Sequence, residues 1–261
     1  MIADSYKFFI TFATKIDIMR RKNVLKTSLA CSLMLVLVGV SGCLDDVANT
    51  QTSDVMPAVV GVDDASNTLL KTLWGSVVVP SDKASSLNAN ECVLTRFQVN
   101  WDQQPDYATK SYITPMQVDI SDPIAQTTVT LVSEVPVPDD YTDSIANGQF
   151  VNFLLSKRWY SEIARPMFEN QTVVYRLELV ATADYTYDAY LMVKGSAPSE
   201  SNSLVVGTEP HFFDFSAIPV PEITESTTTR PYITLNLKYY TRGETTVWKS
   251  ISSPITLTLQ H

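Results

Sequence analysis

Three observations predict an all-β protein. Apolar and polar residues alternate with period two, the alternating runs are rich in Val, Thr, Tyr and Phe, and a turn signal separates two of the strongest runs. The alternation begins at Pro57. Leu69–Val79 is the first strand region, followed by Cys92–Trp101, where Val93, Phe97, Val99 and Trp101 share a face opposite Arg96, Gln98 and Asn100. Met116–Ile120 and Thr127–Val132 follow. From Thr172 to Val180, Val173, Tyr175, Leu177 and Leu179 oppose Arg176 and Glu178. Ala189–Lys194 and Phe212–Phe215 are further strands, and Tyr232–Tyr240 sets Ile233, Leu235, Leu237 and Tyr239 on one side. Arg242-Gly243 supplies a hairpin turn before Val247, because glycine takes positive φ without a steric penalty. Ile255, Leu257 and Leu259 close the pattern against Thr256, Thr258 and Gln260. One segment reads both ways. Phe150, Phe153, Leu154 and Lys157 have helical spacing, continued by Arg158 to Ala164, while Phe150, Asn152 and Leu154 alternate with Val151, Phe153 and Leu155. Strand is favoured in this context, and Pro166 is expected to stop either form. The Pro- and Asp-rich stretch Pro136–Asp140 reads as a seam between domains at 57–135 and 136–261.

The first 42 residues differ in kind and read as a signal peptide. Met19, Arg20, Arg21, Lys22 and Lys26 precede an apolar run from Leu29 to Val40. A spanning helix needs about 20 such residues, whereas a secretory h-region needs roughly 7–15. The run ends in Val40-Ser41-Gly42-Cys43, which resembles the bacterial lipobox, and lipidation is expected on the Cys43 thiol. An ordinary cleaved signal with a chance cysteine is the alternative. Met1 to Ile18 add nothing that a signal requires, which makes Met19 a plausible start. Residues 43–56 then form the lipidated cysteine and a polar tether.

Charge and cysteine count follow from this processing. Residues 1–42 hold six of the 19 basic and two of the 28 acidic residues, so the remainder carries −13 instead of the whole chain's −9. Such a body disfavours nucleic acid and anionic lipid surfaces, leaving the N-terminal lipid as the expected link to a membrane. Of three cysteines, Cys31 lies in the signal and Cys43 takes the lipid, so Cys92 has no internal disulfide partner and is expected to be a small buried hydrophobe.

Leu44-Asp45-Asp46 after the cysteine is similar to the acidic export signal of surface lipoproteins in Bacteroidota, and Asp143-Ser144-Ile145 matches a short O-glycosylation pattern of that phylum. The Asn170-Gln171-Thr172 sequon is read as coincidence. With Leu70–Val79, Val93–Trp101, Tyr175–Val180, Phe212–Ser216 and the hairpin Tyr232–Leu259, the chain resembles the NigD-like lipoproteins of Bacteroidota. That resemblance implies a small N-terminal OB-like β-barrel followed by a C-terminal β-sandwich. It also implies a role near bacteriocin immunity with no enzymatic site.

Catalytic signatures are sparse. Gly61, Gly75, Gly148, Gly195, Gly207 and Gly243 are isolated, which excludes a glycine-rich phosphate loop. Cys-x-x-Cys, His-Glu-x-x-His and Gly-x-Ser-x-Gly are missing from the sequence, and His211 and His261 are the only histidines. No enzyme, metal or cofactor is expected. Asp139, Asp140 and Asp143 are a weak Ca²⁺ or carboxylate candidate without EF-hand spacing. The ligand-binding candidate is Tyr185, Tyr187 and Tyr190 interleaved with Asp184 and Asp188, since aromatic faces beside carboxylates suit sugar rings. The alternative is that these tyrosines only cover a sheet face. The expected function is an outer-membrane or surface lipoprotein with a binding or structural role toward a glycan or envelope protein. Alternatives are a fimbrial accessory lipoprotein, which needs a donor strand or open groove, and an envelope glycosidase, which needs two carboxyl groups ~5–10 Å apart.

Overall fold

The computed structural model describes residues 49–138, 147–168, 173–195, 204–221, 231–241 and 247–260. Its first sheet is built from β1 (Thr50–Thr52), β2 (Met56–Val62), β3 (Thr68–Thr72), β4 (Gly75–Val78), β5 (Cys92–Asn100), β6 (Tyr112–Ile113) and β7 (Gln117–Ile120). β1 and β2 are two parts of one strand along the same side of β5, and β7 lies on the other side. Between β1 and β2 the Ser53 N–H donates to the Phe97 carbonyl at 2.8 Å, and the Ser53 hydroxyl accepts from the Phe97 N–H at 2.9 Å. The order is therefore β7, β5, β1/β2, β3, β4, β6, with β4 and β6 parallel. Because β6 and β7 are neighbours in sequence, one broken strand occupies both ends of the path and the sheet curls into a partly open, OB-like barrel. A helical turn, Ser81–Ala84, joins β4 toward β5. Ala58, Val60, Leu70, Val77, Val93, Phe97, Val99, Ile113 and Val118 fill the interior.

The second sheet follows the same device on a larger scale. Its strands are β8 (Gln126–Thr128), β9 (Thr130–Val132), β10 (Asn147–Leu155), β11 (Arg158–Phe168), β12 (Val173–Ala183), β13 (Thr186–Gly195), β14 (Leu204–Asp214), β15 (Tyr232–Thr241), β16 (Val247–Ser250) and β17 (Ile255–Gln260). The order is β8, β14, β11, β10, β17, β15, β13, β12, β9, with β16 beside β15 on the β17 side. β8 and β9 flank the single residue Val129, so one segment again supplies both ends. Val129 N–H donates to the Asp214 carbonyl at 2.9 Å, and the Thr127 hydroxyl reaches across to the Tyr175 carbonyl at 3.3 Å. The two layers expected of a sandwich are thus opposite walls of one nearly closed sheet. Trp159, Leu177, Leu191, Phe213, Leu235 and Leu257 are among the side chains packed between them. Phe215 and Ile218, from the chain after β14, join this core, and the Tyr187 hydroxyl holds the same segment through the Pro219 carbonyl at 3.1 Å.

The two barrels are joined without a spacer. After β7, Ser121 N–H donates to Leu94 O at 2.9 Å and Ile124 N–H to Cys92 O at 2.8 Å. The outer side chains Val59 and Cys92 of the first barrel pack on Leu155, Tyr160 and Phe212 of the second. Arg158, nearly buried here, pairs with Asp214 at 2.9 Å and donates to Gln126 and Ser216. The second sheet therefore takes up the chain at Gln126, ahead of the proline-rich seam at 136. At the other end the first sheet begins at Thr50, within the stretch read as tether. Periodicity marks strands but not which sheet a short strand joins.

The ambiguous segment 150–164 forms the β10–β11 hairpin. Ser156 and Lys157 adopt φ of 46° and 61°, as a tight turn between twisted antiparallel strands requires. Pro166 does not end β11, contrary to expectation: pairing with β10 stops at Ala164, while pairing with β14 continues to Phe168. Proline is tolerated where one side of a strand has no ladder to donate to. β15 and β16 pair as the Arg242-Gly243 signal implies, although the turn itself lies outside the described residues.

The tight link between β3 and β4 rests on Gly75, at φ 116°. The Tyr107 hydroxyl, donating to the Trp74 carbonyl at 2.5 Å, lies within clashing distance of where a Cβ would be. Gly75→Ala is expected to cost about 1–3 kcal/mol in urea unfolding, from both backbone strain and this overlap, and Tyr107→Phe in the same chain should recover part of the loss.

Candidate functional site

The predicted aromatic and acidic cluster falls on the β12–β13 hairpin, and the strand pleat divides it. Tyr185 occupies the turn at φ 52°, is 42% exposed, and its carbonyl accepts from the Thr234 N–H at 2.9 Å. Tyr187 points inward with Ala189 and Leu191 and is buried in the barrel core. Tyr190, three residues on, faces the opposite way. Asp184 is exposed at the turn, whereas Asp188 shares the outer face with Tyr190. The structure therefore brings Asp188 and Tyr190 together and separates both from Tyr187.

On that outer wall, Asp188 and Tyr190 stand in register with Asn236 and Lys238 of β15. Lys238 Nζ contacts Asp188 at 2.5 Å, lies 3.3 Å from the Tyr190 hydroxyl and sits 5.0 Å from the Tyr190 ring centre. Asn236 donates to the second Asp188 oxygen at 3.1 Å. Burial disfavours the ammonium, but its hydrogen bonds to Asp188 and Tyr190 outweigh that and hold Lys238 above the usual lysine value. Trp248 completes the cluster, edge-on to Tyr190 at 4.8 Å and to Tyr240 at 5.7 Å. Asp188 is thus an ion-pair partner with both oxygens engaged, which is poor preparation for general acid or base work. The other acidic candidates, Asp139, Asp140 and Asp143, lie outside the described residues, as do Cys43, Asp143-Ser144-Ile145 and the sequon at Asn170.

A second polar group lies inside the second barrel. His211, on β14, is buried, and its Nε2 lies 2.8 Å from the Thr127 hydroxyl. Its ring packs on Tyr175 at 4.4 Å and Phe213 at 4.9 Å. The Tyr175 hydroxyl donates to Glu209 at 2.5 Å. Ser161 stands opposite His211 in the ladder, wholly buried, with no hydrogen-bond partner for its hydroxyl. Burial pushes His211 down to about 4 against the pull of the Glu209 carboxylate, so the ring is neutral at pH 7. Cys92 is fully buried, and burial pushes its thiol up to about 12, with Arg158 opposing and Asp214 adding to the shift. A thiol in that state is a packing group, not a nucleophile. Among the described residues, no cluster of three or more His, Cys, Asp or Glu could hold a metal ion. No described helix is long and apolar enough to cross a membrane.

One aromatic group had no signature in the sequence. Trp74, in the β3–β4 turn, lies 6.4 Å from Trp101, and Trp101 lies 5.6 Å from Tyr107. Trp101 and Tyr107 belong to an excursion between β5 and β6, folded as one 3-10 turn, Trp101–Gln103, and one helical turn, Tyr107–Lys110. All three rings are half-buried and pack against the first barrel's core. Trp101 Nε1 donates to Gln51 at 3.0 Å, which fixes the indole. Separations of 27 and six residues across two loops carry no periodic signal, so only the fold assembles this group.

No family model matches the chain, and neither does any curated protein. Solved structures do. An uncharacterized protein from Parabacteroides merdae superposes with a TM-score of 0.60 at 14% identity, covering 79% of this chain and 96% of that one. The overlap is longer than either sheet, so it takes in parts of both, and at this identity it is a likeness of fold. Weaker likenesses are a protein of unknown function from Bacteroides vulgatus (TM-score 0.42, 13% identity, 78% and 92% covered) and a NigD-like immunity protein from Bacteroides caccae (TM-score 0.42, 12% identity, 76% and 91% covered).

The buried His211 makes stability depend on pH. Its folded value lies below the ordinary 6.5, so the unfolded chain binds the proton first and stability falls as pH drops from about 6.5 toward 4. The shift corresponds to on the order of 3 kcal/mol. Urea unfolding at pH 7 and pH 4.5 should show a smaller loss for His211→Gln than for the native chain. Equal losses in the two proteins overturn the assignment.

Proposed function

We propose that this chain is a lipid-anchored envelope protein of the NigD-like kind, with a binding or structural role and no catalytic one. The observation that carries this reading is the order of parts. A lipobox-like Val40–Cys43 is followed within six residues by Asn49, already bonded into a two-barrel body, an OB-like sheet first and a nearly closed sheet second. That is the order the sequence resemblance implies. The chemistry-bearing side chains support the non-catalytic part of the reading. His211 is bonded to Thr127 and neutral, Cys92 is sealed between the barrels, and Asp188 is neutralised by Lys238. With −13 on the processed chain, attachment rests on acyl groups and not on basic side chains. The expected address is the outer membrane or cell surface, and the expected partner is an envelope protein or glycan.

Metabolic labelling with an alkyne fatty acid, in bacteria that process lipoproteins, tests the anchor. The native chain should carry the label and sediment with membranes. Cys43→Ala should lose the label and leave the membrane fraction. Normal labelling of Cys43→Ala, or an unlabelled native chain, overturns the reading.

A further inference from the structure

The proposed anchor has a geometric consequence at the far end of the first barrel. Asn49 is bonded to the excursion after β5 in both directions: its carbonyl accepts from the Trp101 N–H at 2.9 Å, and its N–H donates to Asp102 at 2.9 Å. The chain that leads back to Cys43 therefore leaves the body beside Trp101. Six residue steps separate Cys43 from Asn49 and span at most roughly 20 Å when fully extended. That barrel end carries Leu73, Trp74, Trp101 and Tyr107, with Met116 close by, where its N–H donates to Gln98 near the end of β5. Leu73 is 37% and Met116 58% exposed, and the three rings are only half-buried. Trp and Tyr are the side chains that settle at the membrane–water interface, since each pairs a broad apolar ring with a polar atom. The charges at this end have partners: Asp106 pairs with Lys110 at 2.9 Å, and the Asp102 carboxylate accepts from the Asn49 N–H at 2.9 Å.

Resting on the lipid anchor proposed above, we infer that the Leu73–Trp74 turn and the Trp101–Lys110 excursion form a membrane-docking face that seats the first barrel on the lipid headgroup region. With a reach of at most roughly 20 Å the anchor keeps the first barrel close to the bilayer, and the end it keeps closest is the aromatic one. The excess of acid elsewhere on the body makes the partner a zwitterionic lipid surface. Docking fixes the orientation of the protein: the first barrel lies against the membrane, and the second is carried as its outward extension.

The test uses the acylated full chain on phosphatidylcholine vesicles containing lipids brominated near the top of the acyl chain, with mass spectrometry to establish the acyl group. Two of the four tryptophans lie in the face, so bromolipid should remove about a third to a half of the total emission. The Trp74→Phe, Trp101→Phe double variant should remain acylated and vesicle-bound, yet lose little emission, because Trp159 is buried in the second barrel and Trp248 lies on its outer wall. An acylated, vesicle-bound native protein with undiminished emission overturns docking and leaves the anchor standing. A chain without an acyl group overturns both. Shielding of these tryptophans from acrylamide by soluble maltohexaose, without quenching by bromolipid, assigns the face to a carbohydrate and overturns the membrane.

Discussion

A sheet that curls around its own core still has two edges, each a row of backbone N–H and C=O groups that must find partners. In this protein one run of chain, Tyr112–Val132, meets that requirement for both barrels. β6 and β7 take the two ends of the first sheet, and β8 and β9 take the two ends of the second. Between them, Ser121 and Ile124 continue the ladder on β5. A buried backbone group left without a partner costs about 1–3 kcal/mol, so an open seam along even a short strand would consume much of a domain's net stability. Most of the remaining architecture follows from this closure. It fixes which faces point inward, joins the barrels without a flexible linker, and places Cys92 and Phe212 in the joint between them.

Much of the secondary structure was legible in the chain. Alternation across Cys92–Trp101, Thr172–Val180, Tyr232–Tyr240 and Ile255–Gln260 marks β5, β12, β15 and β17, because a half-buried strand imposes period two on side-chain polarity. Pairing was not legible. β10 lies beside β17 and β13 beside β15 in parallel, and nothing local to either strand encodes such a partner. The candidate residues are divided for a different reason. Tyr187 and Tyr190 are an odd number of residues apart, so a strand must put them on opposite faces, and closeness in sequence was not closeness in space. Trp74, Trp101 and Tyr107 are the reverse case, distant in the chain and adjacent in the fold.

The polar chemistry of the second barrel is directed at its own framework. Lys238 bridges Asp188 and Tyr190 across two parallel strands, and the Thr127 hydroxyl links the closing strand to His211 and Tyr175. Such contacts add register information where hydrophobic packing alone would tolerate a slip, since a one-residue shift exchanges the two faces. The first barrel differs. Its aromatic end is assembled from loops, supported by Gln51 and Gly75, and left half open. Loops held on a rigid scaffold are where binding surfaces usually lie.

The place of β17 in the wall has a consequence in time. Ile255–Gln260 stands between β10 and β15, although it is the last strand of the described chain. A polypeptide emerging N-terminus first has all the strands of its first barrel once Ile120 is free. The second barrel must wait for more than a hundred further residues, with Trp159, Leu177 and Phe213 already present and no wall to cover them. Long-range strand pairing of this kind is slow and leaves apolar faces exposed while it waits. The finished first barrel, bonded directly to the segment that will seal its neighbour, gives the unfinished half a fixed template during that interval. Assembly therefore has a direction: the smaller barrel comes first, and the larger one closes on its final strand.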